Sequence, residues 1–457
     1  MTICIQNGTL VSGAGTRPGD LLIEDGIIQS VGVGLSGDQN IDAAGCLVFP
    51  GFIDGHTHLD MPVSGTVTAD DFRTGSEAAL VGGTTMLIDF ATQDRGGTLH
   101  DALDVWHGRA DGKCACDYGF HMAVTDWNAR TRRELHEMAD AGVTSFKAYY
   151  AYDALMLGDR EMYDLLCEMR EIGGILGVHC ENGPVLSRLQ EKAVAAGHVS
   201  PAWHPRTRPP VIEGEAVSRF LRLAYLAGAP AWIVHLSTAD GLGEIRAARA
   251  RGQQVLVESC PQYLTLTEEV YDKPGFEGAK YVCSPPLRPK ADQDALWQAL
   301  ENGEIDILST DHCSFNFKGQ KEMGQDNFTK IPNGMPGIEH RPTVMYTAAV
   351  ATGRIQASDL IRMLAENPAK MFGVWDRKGS LDVGKDADVV IYDPKADVTI
   401  TAAAQRQNCD YTPFEGFRTA GSVRDVLLRG VHAVQGGRLV QTGCGQYIPR
   451  EKMRWIP

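Results

Sequence analysis

The sequence lacks any run of eighteen apolar residues, so it is not expected to cross a membrane as a helix. Its first residues, "MTICIQNGTLVSG", hold neither a basic leader nor a long apolar stretch. No secretion signal is therefore expected there, and the cytoplasm is the expected compartment. Positive charge is in short supply: 43 Lys and Arg stand against 58 Asp and Glu, a net charge of −15. Nucleic acid and anionic membranes both reward clustered Lys and Arg, so neither is an expected partner. The 11 cysteines are scattered and odd in number, without the regular spacing of a disulfide framework. That usage suits a reducing compartment. Cys114 and Cys116 form a C-x-C, which reads as two small buried side chains rather than a zinc knuckle. Short-period repeats and low-complexity segments are missing too.

What is present is ordinary globular composition, 43% hydrophobic and 22% charged over 457 residues. The length suits one large α/β domain plus a lesser module. Residues 1–50 alternate in short strands broken by N-G and D-G turns ("TICIQNGTLVS", "DLLIEDGIIQSVG"), and 376–440 repeat that style ("DADVVIYDP", "DVTITA", "VRDVLLRGVHAVQGGRLV"). The two ends predict one small β-sandwich built from both termini, with 441–457 as a C-terminal tail. Between them, over 51–375, eight short apolar runs alternate with amphipathic helical segments: "FIDGHTH", "TTMLIDFA", "YGFHMAV", "VTSFKAYY", "GILGVHC", "AWIVHLS", "QVLVESC" and "IDILSTD". Eight strand-then-helix units predict a (β/α)8 barrel, with a doubly wound sheet as the alternative.

Active sites of such barrels collect at the C-terminal ends of the strands. The first run ends in His56 and His58, the fourth carries Lys147, the fifth ends in His179, the sixth in His235 and the eighth in Asp311. His56 and His58 are two apart, which in a strand points both rings to one face. Each residue alone has a bland reading, as a capping or core side chain. Five ligand-type residues converging on one rim point instead to metal. They are too many for one zinc with an open position, and suit two metals about 3.5–4 Å apart that share a hydroxide. Lys147 lies inside an apolar strand, where an unpaired ammonium is costly. An ammonium would repel two cations. Carbamylated by CO2, it becomes an anion with two oxygens that can bridge them.

The stretches "PGFIDGHTHLDMPVSGTVTADDF", "SFKAYYAY", "GVHCENG", "IVHLS", "CPQYL", "VCSPPLR", "STDHCSF", "NGMPGIEHR" and "DYTPFEGF" resemble the cyclic amidohydrolases, in their D-hydantoinase/dihydropyrimidinase branch. The likeness runs in order along nearly the whole chain. It implies two zinc ions (Mn²⁺ or Co²⁺ fit similar donors), one held by His56, His58 and Asp311, the other by His179 and His235, with N6-carboxylysine at Lys147 bridging them. It implies Tyr152 as the group that polarises the substrate carbonyl, the main chain at Ser284 and Asn333 as the hold on the ring's amide edge, and Asp311 as the proton shuttle. The implied reaction is hydrolytic opening of 5-substituted hydantoins or 5,6-dihydropyrimidines to N-carbamoyl amino acids, by a homotetramer. An allantoinase-like or other cyclic-amide hydrolase is the alternative; a catalytically idle oligomeric scaffold is a more distant one. Asp60, with Leu59 and Met61, stands where dihydroorotases carry an arginine, which disfavours a substrate carboxylate there. Val63 replaces the aromatic common in relatives, leaving the preferred side-chain size open. Cys180 and Cys313 each follow a ligand, and apolar packing is the expected role for both.

Overall fold

The computed structural model describes residues 1–456. Eight parallel strands follow one another in chain order around one sheet. They are Phe52–Thr57 (β1), Thr84–Thr92 (β2), Asp117–Ala123 (β3), Ser145–Tyr149 (β4), Ile175–His179 (β5), Ala231–Ile233 (β6), Val255–Ser259 (β7) and Ile307–Leu308 (β8). Nearly every strand residue is buried, as expected of a parallel sheet covered on its outer face by helices. Those helices start where the sequence supplies a cap. Thr98, Asn128 and Thr238 each accept a first-turn N–H through a side-chain oxygen. Gly173 and Gly228 end two of them in the left-handed conformation.

Side chains and a short bridge close the barrel, because β8 is only two residues long. The His58 N–H donates to the His312 carbonyl at 2.8 Å. Thr310 donates its N–H and its hydroxyl to the Asp54 carboxylate at 3.1 and 2.7 Å. Arg341, fully buried, donates to the carbonyls of Ile53 and Leu308 across the seam. The interior is packed by Ile53, Ile88, Phe90, Trp232 and Phe372. Gly177 makes that packing possible: a Cβ there would come within 2.5 Å of Trp232.

The two termini form a single module, as expected. Its strands make one nine-stranded hydrogen-bonded sheet, a path of eight strands with the ninth as a branch. The path branches at Thr2–Ser12, whose first half pairs with Gln39–Asp42 and whose second half pairs with Leu47–Pro50. "DADVVIYDP" and "DVTITA", read as two strands, are one bulged strand, Val389–Thr399, whose register slips between Asp393 and Asp397. Lys378 joins module to barrel: its ammonium lies 2.7 Å from both Asp117 and Asp388. The 441–456 segment packs against the barrel. Ile448 enters its core, and Arg450 donates to Ser145 Oγ at 2.5 Å.

Candidate active site

At the C-terminal ends of the barrel strands opens a cavity of about 700 Å³. His58, Lys147, Tyr152, His179, His235, Ser284, Asp311 and Asn333 all line it. His56 lies just beneath, fully buried. The structure thus gathers every residue that the sequence singled out for chemistry. His56 and Lys147 stand on β1 and β4, His179 ends β5, and the others stand on the loops that follow the strands.

The donors fall into two groups. Asp311 Oδ1 lies 3.2 Å from His56 Nε2 and 3.2 Å from His58 Nε2. His179 Nδ1 faces His235 Nε2 at 3.0 Å. Two donors on one tetrahedral ion, each about 2.0–2.1 Å from it, sit roughly 3.3 Å apart. The observed spacings fit that geometry. His58 Nδ1 and His235 Nδ1 are buried without a hydrogen-bond partner. Burial lowers the pKa of His56, His179 and His235, so these rings are neutral and offer lone pairs. Lys147 Nζ lies 3.0 Å from His56 Nε2 and 4.5 Å from the centre of the Phe90 ring. Burial pushes its pKa down to about 8 against the pull of Asp311 and Glu258. A lysine with that value is still mostly ammonium near neutral pH but keeps a fraction as the neutral amine that CO2 requires. His56, His58 and Asp311 together form a group of ligand atoms close enough to hold a metal ion.

Behind the donors stand carboxylates that the sequence reading missed. Glu258 Oε1 on β7 accepts from His56 Nδ1 at 2.6 Å and so aims Nε2 at the site. Glu181 accepts from His179 Nε2 at 2.8 Å and so aims Nδ1. Asp89 accepts from the Leu59 N–H, the Thr57 hydroxyl and the Trp106 indole, and thereby fixes the chain around His58. Burial alone would raise the pKa of Glu181, but the charge of buried Arg208 and the His179 bond hold it at about 2. The signal was available: Asp89 and Glu258 interrupt apolar runs just as Lys147 does.

Tyr152 is half-buried, its ring centre 5.2 Å from that of His179 and 6.0 Å from the Arg208 guanidinium. Burial raises its pKa, so the phenol keeps its proton. Four residues here take left-handed backbone: Asp60 (φ 50°), Tyr152 (71°), His235 (38°) and Asp311 (51°). Such strain in non-glycine residues gathers where function fixes the chain. Asp60 acts through that turn, which brings Met61, Pro62, Val63 and Ser64 to the cavity wall. The Cys180 thiol meets the Val178 carbonyl. Cys313 lines the cavity. Burial raises both thiols, so neither offers a thiolate.

The family model described as the amidohydrolase family matches residues 47–433. A D-hydantoinase of Geobacillus stearothermophilus is 46% identical, over 99% of this chain and 97% of its own. The crystal structure of a dihydropyrimidinase from Brevibacillus agri superposes with a TM-score of 0.98 at 44% identity, covering 99% of each chain. An L-hydantoinase (dihydropyrimidinase) from Arthrobacter aurescens gives 0.89 at 31% identity, covering 98% of this chain and 99% of its own.

Proposed function

The chain belongs to the amidohydrolase family, and from that premise we propose that it opens cyclic diamides, 5-substituted hydantoins or 5,6-dihydropyrimidines, by hydrolysis to N-carbamoyl amino acids. The observation that carries this reading is the pair of donor groups with a buried lysine beside His56, at the floor of a cavity large enough for a substituted ring. Identity of 46% to a D-hydantoinase, against 31% to an L-hydantoinase, supports the D enantiomer.

His56, His58 and Asp311 would hold one divalent cation, zinc by default, and His179 and His235 a second. Lys147, as N6-carboxylysine, would reach both. When bound, the cations supply a nucleophile from water near neutral pH and draw charge from the scissile carbonyl. The chain does the rest. The main chain at Ser284 and Asn333 holds the amide edge of the ring. The Tyr152 hydroxyl donates to the oxygen that gains charge as the carbonyl carbon becomes tetrahedral. Asp311 takes the proton released by the attacking water and delivers it to the leaving ring nitrogen. The wall at Met61 and Val63 receives the substituent on C5. Tyr225 and Leu226, exposed on the helix Pro210–Ala227, offer apolar surface for a homotetramer. The eleven cysteines are free, in keeping with the cytoplasm.

The test is ring opening by zinc-loaded protein supplied with bicarbonate. The panel is dihydrouracil, racemic 5-phenylhydantoin, allantoin and dihydroorotate, with chiral analysis of the carbamoyl product. Opening of the hydantoin or dihydrouracil is expected. Opening of allantoin or dihydroorotate alone would overturn the assignment.

A further inference from the structure

The segments that carry Ser284 and Asn333 are tied together by one buried cation. Lys321, fully buried, opens the short turn Lys321–Gly324. Its Nζ donates to three carbonyls: Val282 at 2.8 Å, Pro332 at 2.6 Å and Gly334 at 2.7 Å. An ammonium has three hydrogens, so its donor capacity is filled. One acceptor lies two residues before Ser284, and the other two flank Asn333. The Gly334 N–H also donates to Val282, at 2.9 Å. Both segments face the cavity, and Ser284 Oγ and Asn333 Oδ1 are buried there without partners.

We propose that Lys321 is a positioning residue for the substrate ring, holding the Ser284 and Asn333 segments at a fixed spacing and sharpening the Asn333 N–H as a donor. The inference rests on the ring-opening reading above. The second effect follows from the covalent structure. The Pro332 carbonyl and the Asn333 N–H belong to one peptide group. A cation on the oxygen draws density through that group and strengthens the N–H on its far side. Carbonyl oxygens rather than a carboxylate surround the ammonium, so its charge is spent on polarising backbone.

The test is Lys321→Met, which keeps the stem and removes the charge. Lys385→Met is the control: Lys385 is also buried and donates to the carbonyls of Trp375 and Lys378, away from the cavity. A hold on the ring edge acts on ground and transition states alike, so its loss should appear mainly in KM. Lys321→Met should raise KM about tenfold or more, keep kcat within about threefold and keep its metal. Lys385→Met should leave KM and kcat as they are. An unchanged KM in Lys321→Met, or a raised KM that comes with lost metal or is matched in the control, overturns the proposal. If Lys321→Met does not fold, hydrogen exchange in metal-loaded wild type decides. Slow, matched exchange at 282–284 and 333–335 without substrate supports the tie. Fast or unequal exchange there overturns it. A wild type that opens no ring removes the activity reading and this inference with it. A wild type that opens rings beside an unaffected Lys321→Met removes only the inference.

Discussion

Glu258 and Glu181 stand behind different donor groups, and replacing each by Gln should separate metal affinity from fold stability. In Glu258→Gln the amide oxygen can still accept from His56 Nδ1, now 2.6 Å from Glu258 Oε1, but the carboxyl, which burial raises well above the usual range, can no longer ionise when a cation binds. Loss of such an outer partner costs about 10–100-fold in metal affinity, or roughly 1.4–2.7 kcal/mol. The new NH2 replaces Oε2, which has no hydrogen-bond partner, so one unpartnered atom is exchanged for another. The metal-free fold should therefore change by about 1 kcal/mol or less. Glu181→Gln differs because Glu181 also neutralises Arg208, which is buried. Stranding that guanidinium should cost the metal-free fold about 3–5 kcal/mol. Chelator-competition titration reads the affinities, and denaturant unfolding of metal-free protein reads the stabilities. Wild-type affinity for both metals in Glu258→Gln, or equal stability losses in the two variants, would refute the reasoning.

Asp311→Asn should keep most of its metal while kcat falls by about 10²–10⁴; near-wild-type turnover in a metal-replete variant would remove its role as proton shuttle. Lys147→Ala should lose metal and activity together, and short carboxylic acids should restore part of both; full occupancy without such an acid would contradict the bridge. Tyr152→Phe should lower kcat by about 10²–10³ with metal content unchanged, by comparison with the loss of a single oxyanion donor. Burial raises the Glu339 carboxyl from 4.5 to about 7, despite bonds from the Arg406 and Gln407 N–H groups. Between those two pH values the folded chain holds a proton that the unfolded chain has released, so stability should fall as pH rises through the window, by up to about 3 kcal/mol. Unfolding of Glu339→Gln across that window should lack this slope.

Much of the architecture was legible because parallel strands buried on both faces leave continuous apolar runs, and eight of them stand out between amphipathic helices. The candidate donors were legible for a related reason. Polar residues at the ends of such runs have no packing role to explain them, so His56, His58, His179, His235 and Asp311 declare themselves. Lys147 declared itself by its cost. Glu258 and Asp89 pose the same problem in the same kind of run, and the rule that found the lysine extends to them. Glu181 was less visible, since it follows its strand and its partner Arg208 lies 27 residues further on. The single path of the terminal sheet was hidden as well. It depends on one long strand choosing different partners along its two halves, and alternation in the sequence names no partner.

Backbone conformation is what the sequence conceals most fully here, and it bears directly on the chemistry. Asp311 and His235 belong to types enriched at left-handed positions, but most Asp and His residues are not left-handed and Tyr152 is not such a type, yet all three occupy one. Each costs about 1–2 kcal/mol relative to right-handed backbone. The expense has a geometric reason. A strand alternates its side chains between two faces, so consecutive residues cannot all face the cavity. A left-handed residue just beyond the strand breaks that alternation and turns a side chain back over the barrel mouth. Holding it needs a stiff frame: the Asp54–Thr310 bonds beside Asp311, the Glu258 contact to the His235 N–H, and the buried Arg208–Glu181 pair beside Tyr152. The buried charges around this cavity therefore serve placement as much as reactivity. Substitutions among them should reach catalysis through the orientation of neighbours they never leave.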